Sequence, residues 1–181
     1  MEIKNEITGL EEAKRKFNKL AELTDDLDSA WYEIGEVLAD STKQRFETSE
    51  APDGSSWAAN AQTTILRYLG KYKTSFSKKT GKITAKGSSR AINKRPGIGE
   101  TGLLSKTITY QVDAEGLLVG TPMEYGGTFH FGADKGEYGT ASNGAPVPWG
   151  DIPGREFLGV SAADADHIEQ ILTEHIERFD D

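Results

Sequence analysis

Cysteine is absent from this 181-residue chain. Its absence removes disulfides, thiolate zinc sites and cysteine nucleophiles, and it suits a reducing compartment. Long apolar runs are missing too: nothing approaches the roughly 20 residues that a membrane helix needs. The first residues, MEIKNEITGLEEAKRKF, hold no apolar run and begin with an acid, unlike a signal peptide or an anchor. A soluble protein with no membrane contact is expected. Histidine is scarce, with three in the chain. His167 and His175 stand eight residues apart, too far to share a metal as an i, i+4 pair does. His130 has no second histidine at ligand spacing, and its one nearby acid, Asp134, sits in a loop. Packing or hydrogen bonding is the favoured role for His130, and no catalytic, metal or cofactor site is expected.

The most informative gap is local. Residues 54–99 contain ten Lys or Arg and no Asp or Glu, so this stretch carries +10. The other eleven basic and all 29 acidic residues lie outside it and give −18, for a net charge of −8. An acidic body with a basic insert says more than the average.

What is present organises around that insert. Thr8-Gly9-Leu10-Glu11 fits a capping box, and Leu10, Ala13, Phe17, Leu20 and Ala21 follow at helical spacing. After a break at Thr24-Asp25-Asp26, a second stripe runs through Leu27, Trp31, Ile34, Leu38 and Phe46. So short a break predicts an antiparallel helical pair over residues 1–50. PDGSSW, with Pro52, Gly54 and Trp57, is turn chemistry. After a short apolar patch at residues 63–69, residues 71–99 are polar and basic, which predicts a long mobile basic arm with a weak strand pair around Gly81. Ile108, Tyr110 and Val112, the turn DAEG, then Leu117 and Val119 predict a hairpin. Residues 126–154 are rich in Gly and Pro. Asn143-Gly144 signals a turn, and Pro146 and Pro148 confine any strand there to an edge. Ser161-Ala162-Ala163-Asp164 is a second capping box, opening an amphipathic helix through Ala165, Ile168, Leu172, His175, Ile176 and Phe179.

The order predicts an α+β fold in a single domain. An antiparallel sheet (strands and loops over 101–160) packs with the N-terminal helical pair and a C-terminal helix over 161–181. A long basic arm occupies 51–100. At this length one fold buries roughly 70% of the surface its unfolded chain exposes, so a core needs no staples.

Three segments invite chemistry. GIGETG (residues 97–102) matches the dinucleotide pattern letter for letter, but no strand precedes it and no phosphate-loop lysine follows Gly102, so a turn is expected. The basic arm has two functional readings. Lys and Arg could neutralise phosphates while Tyr68, Tyr72 and Phe76 stack on bases, or the arm could order against an acidic protein surface. A solvated loop touching nothing stands beside both. DIPGREFLGVS (residues 151–161) reads as a core strand entering the last helix or as a sheet edge that meets a neighbour.

Arg45-Phe46, PDGSSW, TGLLSKTI, VGTPMEYG and IPGREFLG occur here in an order that resembles the phage virion morphogenesis family, the tail-completion proteins of contractile-tailed phages and prophages. The resemblance spans about residues 10–179. Where that family reads Tyr-Ala-x-x-His-Gln-Phe-Gly, this chain runs from Tyr125 to Gly132 with the histidine one position late. Where the family favours Ile-Pro-Ala-Arg-Pro-Phe-Leu-Gly, Gly154 replaces Ala and Glu156 replaces Pro, leaving Arg155, Phe157 and Leu158 in register.

The resemblance implies a non-enzymatic component of the tail or neck, assembled in the bacterial cytoplasm, that completes the tail and lets it join a filled head. Its implied partners are further copies of itself in a ring, the tail tube or terminator, and neck or connector proteins. Contact with DNA through residues 67–95 is the rival reading. Subunit or partner contacts are expected at Lys71, Lys73, Lys78, Lys79, Lys82, Lys86, Arg90, Lys94 and Arg95, at Arg155, Phe157 and Leu158, and in the loop 133–150. EYGGTFHFG (residues 124–132) is expected as a strand end and turn, with Gly126, Gly127 and Gly132 as structural turn residues.

Overall fold

The computed structural model describes residues 27–99, 101–113 and 116–177. The first predicted helix with its Thr8 cap, the break at residues 24–26, part of the DAEG turn, and Phe179 lie outside them. Among the described residues the fold is α+β, with six helices and two small antiparallel sheets. No described helix is long and apolar enough to cross a membrane.

Helix α1 (Asp28–Thr48) is the spine. It ends where Ser49 turns into the left-handed region, its N–H donating to Arg45 O. The predicted hairpin forms from β1 (Thr109–Asp113) and β2 (Gly116–Gly120) and packs on it, with Tyr110 facing Val119 and Val112 facing Leu117. Gly35 makes the contact possible. A Cβ there would lie 2.4 Å from Tyr110 Cδ2, inside van der Waals contact, so the ring sits where a side chain would stand.

Helix α6 (Ala162–Glu177) lies along α1. Ala30 and Ile34 meet Ile171, with Leu38, Leu117, Ile168 and Leu172 around them. The buried face of α6 is rotated from the predicted stripe: Ile171 is buried, while Ala165 and Ile176 are exposed.

A second, larger core gathers Phe46, Trp57, Leu104, Ile108 and Phe157, with Phe129 and Leu158 against it. Phe46 meets the rings of Trp57, Phe129 and Phe157 at centroid distances of 5.2, 5.8 and 5.3 Å. Such pairs add about 0.5–1.5 kcal/mol each beyond area burial.

Two expectations are corrected. EYGGTFHFG is not a strand end: Gly126–Phe131 form the short helix α5, and only then does Gly132 enter β3 (Gly132–Ala133), paired with β4 (Ile152–Pro153). Gly126 and Gly127 therefore start a helix, because docking Phe129 into the aromatic core outweighs the poor helix propensity of glycine. Gly132, at φ +84°, does turn the chain. Here two backbones meet: a Cβ on Gly132 would lie 2.5 Å from Ile152 O, and one on Gly154 would lie 2.8 Å from Phe131 O.

The second correction concerns the basic segment. It is not a long arm without structure. It holds α2 (Gln62–Gly70) and α3 (Ala85–Ile92), joined through a single bridge between Phe76 and Ile83 that flanks Gly81. Between α3 and the hairpin lies the single turn α4 (Leu103–Lys106), whose Leu104 enters the core.

Candidate functional site

The basic segment becomes a small lobe because a few residues fix it. Thr84 caps α3 by accepting from Gly87 N at 3.1 Å, and its own hydroxyl donates to Thr74 O at 2.7 Å. Leu69 and Ser75 are fully buried beneath it. Asn60 Nδ2 donates to Lys94 O at 2.9 Å and ties the base of the lobe.

Two cations are organised by aromatic faces. The Arg90 guanidinium lies 4.6 Å from the Tyr72 ring centroid and donates to Thr74 Oγ1 at 2.9 Å and Ser75 Oγ at 3.2 Å. Lys94 sits 5.1 Å from the Tyr68 centroid and donates to Ile98 O. Burial pushes the Lys94 ammonium below its ordinary value, and the Lys71 charge lowers it further against an opposing contribution from Tyr72. Tyr68 and Tyr72 meet edge to face at 5.3 Å. Around this cluster Lys71, Lys73, Lys78, Lys79, Lys82, Lys86 and Arg95 are exposed. One face of each tyrosine is thus already covered by a cation, and Phe76 is half-buried. That arrangement serves a charged surface better than a base-stacking platform.

The IPGREFLG segment is used inside the molecule. Phe157 is fully buried, and Leu158 is half-buried against the same core. Arg155 is 8% exposed. Its guanidinium donates to three carbonyls: Ala58 O at 2.8 Å, Ala59 O at 3.1 Å and Pro153 O at 3.3 Å. Burial lowers its pKa from the ordinary arginine value. Arg155 and Phe157 therefore bind this chain's own backbone and core, and neither offers a side-chain surface to a neighbour. Trp57, expected in a turn, is also core, its Nε1–H donating to Glu156 O at 2.8 Å, whereas Gly54 does turn the chain at φ +81°.

His130 packs edge-on against Phe157 at 5.2 Å, and its Nδ1 accepts from Phe157 N at 3.3 Å. That acceptor role places the ring proton on Nε2. Burial lowers the His130 pKa, against the charge of Glu156. Its role is packing and backbone bonding. No group of three metal-ligating side chains is present among the described residues. GIGETG has no strand before it. Gly97 instead approaches Phe129 and Phe46 so closely that a Cβ would lie 2.6 Å from Phe129 Cζ.

An ion pair the sequence reading missed joins α1 to α6. Arg45 donates to Asp164 Oδ2 at 2.5 Å, Phe157 O at 2.8 Å, Gly159 O at 2.9 Å and Ser41 Oγ at 3.2 Å. Asp164 also accepts from Ser161 N at 2.8 Å and gives its own N–H to Ser161 Oγ at 3.2 Å, so the predicted capping box forms. Burial pushes the Asp164 carboxyl up, but hydrogen bonds from Ser41 and Ser161 and the Arg45 charge pull it below its ordinary value. The available signal was spacing: Arg45 lies seven residues beyond Leu38, on the apolar face of α1.

Beside this pair, α1, the turn at residues 50–54 and the start of α6 enclose a groove of about 650 Å³. Glu36, Asp40 and Glu50 line it, and its one Arg, Arg45, is already committed to Asp164. Lys43, outside the lining, pairs with Asp40 at 2.9 Å. The described chain thus carries a basic lobe and a separate acidic groove.

A profile of the phage virion morphogenesis family matches residues 8–177. No curated protein and no solved structure matches the chain.

Proposed function

The chain belongs to the phage virion morphogenesis family, and from that premise we propose that it is a structural protein that completes the phage tail and makes it competent to join a filled head. The family match over nearly the whole chain carries the reading: it points to virion assembly and to a structural role. Copies would form a ring at the head-proximal end of the tail, each contact heterologous, so that the rotation closes around the tail axis. The exposed surface supports an assembly role. Phe131 is 82% and Trp149 64% exposed, and Tyr138 and Val147 stand open on the loop between β3 and β4. Large apolar side chains left in water suit contact with other virion proteins.

The deciding experiment is electron microscopy of a lysate from the parent phage or prophage with this reading frame inactivated. Filled heads beside separate, normal-length tails are expected. Overlong tails would reassign the protein to tail-length termination. Intact, infectious virions would overturn the reading and bring the nucleic-acid alternative forward.

A further inference from the structure

Much of the lobe's charge has no carboxylate beside it among the described residues. Lys73, Lys78, Lys79, Lys82, Arg90 and Lys94 have no carboxylate partner among the described residues; Arg90 and Lys94 bond only hydroxyl and carbonyl oxygens. The lobe is nevertheless built: a capped helix and a buried Leu69 order its backbone, and tyrosine rings back two of its cations, Arg90 and Lys94. An array of like charges costs self-repulsion, which an anionic surface relieves. The rest of the molecule supplies such a surface. The groove between α1 and α6 presents Glu36, Glu50 and Asp40, the last paired with Lys43 from outside the lining, and has no free Lys or Arg among its lining residues. The exposed side of α6 adds Asp166, Glu169 and Glu174. Lobe and groove lie on different elements, the lobe's two helices packing on each other.

We propose that the basic lobe of one copy docks against the acidic α1–α6 groove of a second copy. The charge count favours this occupant, since a +10 lobe and a −18 remainder complement each other within one sequence. Because lobe and groove are different surfaces, the contact is heterologous and leaves a free lobe at one end and a free groove at the other, which is what a ring or stack requires. The covered faces of Tyr68 and Tyr72 favour a protein partner over single-stranded nucleic acid. The proposal rests on the assembly reading above and names the contact through which copies meet.

A charge swap tests it on the full-length protein by sedimentation at low and high salt. The wild type should self-associate at low salt and dissociate as salt screens the contact. A lobe variant (Lys78→Glu, Lys79→Glu, Lys82→Glu) and a groove variant (Glu36→Lys, Asp40→Lys, Glu50→Lys) should each associate more weakly, on the order of tenfold or more, with melting behaviour showing that each is folded. Mixing the two variants should restore assembly, because one contact then joins a native lobe to a native groove and the other sets the three introduced Glu against the three introduced Lys. Failure of the mixture to associate while the wild type does, or a wild type that stays monomeric at low salt, overturns the proposal. Tight binding of a DNA duplex at physiological salt, lost in the lobe variant while self-association is unchanged, also overturns it and assigns the lobe to a polyanion. If inactivating the frame still separates heads from tails but the swap has no effect, this contact fails and the assembly reading stands. Infectious virions from the inactivated frame would sink that reading whatever the purified protein does.

Discussion

Replacing Arg45 with Met isolates the buried ion pair. Met keeps much of the apolar volume of the side chain but removes four hydrogen bonds, to Asp164, Phe157 O, Gly159 O and Ser41. Arg45 and Asp164 side chains are 7% and 4% exposed, so the surviving carboxylate is left buried with only its bonds to Ser41 and Ser161. Breaking one side of such a pair costs about 3–5 kcal/mol, a large share of the 5–15 kcal/mol typical of a folded domain. With a urea dependence of about 2 kcal/mol per molar, the unfolding midpoint should fall by about 2 M. The pH profile carries a second signature. The folded-state pKa of Asp164 is depressed, so its contribution is complete above the ordinary carboxylate value of about 4 and disappears as pH falls through the lower folded value. In the Met variant that acid-side loss should shrink, because the Arg45 charge, which adds to the Ser41 and Ser161 hydrogen bonds in depressing the pKa, is gone. The double variant Arg45→Met, Asp164→Leu should recover much of the loss, since an apolar pair can replace a buried ion pair at little cost. A midpoint shift for Arg45→Met worth less than about 1 kcal/mol, the range of an exposed pair, would refute this account of how α6 is held.

Two further outcomes are expected. Gly35→Ala should gain about 1 kcal/mol of helix propensity but lose about 1–3 kcal/mol to overpacking against Tyr110, giving a net loss in chemical denaturation; a stabilised variant would show that the hairpin can retreat freely. For His130 the folded pKa lies below the unfolded value, so its stabilising contribution is full above about pH 6.5 and is lost as pH falls from there through the folded pKa. His130→Gln should remove that part of the slope between neutral and mildly acidic pH in thermal melts, and an unchanged slope would contradict the burial of the ring.

The elements legible in the sequence are those whose signal is local. The β1–β2 hairpin follows from two-residue alternation, and α6 starts where Ser161 and Asp164 form a capping box. The lobe was illegible because its order comes from few apolar atoms. Leu69 and Ser75 are its fully buried side chains, and the Thr84 cap has Gly87 where a capping box would show Glu or Gln. α5 was illegible for the opposite reason: its glycine-rich sequence argues against a helix, and a distant partner, the cluster of Phe46, Trp57 and Phe157, overrules it. The acidic groove joins residues more than a hundred positions apart, and composition shows only that acids are plentiful. The lobe's charge was plain in the sequence; its arrangement on Tyr68 and Tyr72 was not.

The meeting of Gly154 with the end of α5 joins two segments that lie far apart in the sequence. The segment from Tyr125 to Gly132 and the glycine at position 154 look independent when written in one line. In space they are one site: a methyl group on residue 154 would lie 2.8 Å from Phe131 O and 3.1 Å from His130 O. Alanine at position 154 would drive a methyl group into that backbone. With no side chain at position 154 the β3–β4 pair sits flush against the end of α5; with one, one of the two segments would have to move.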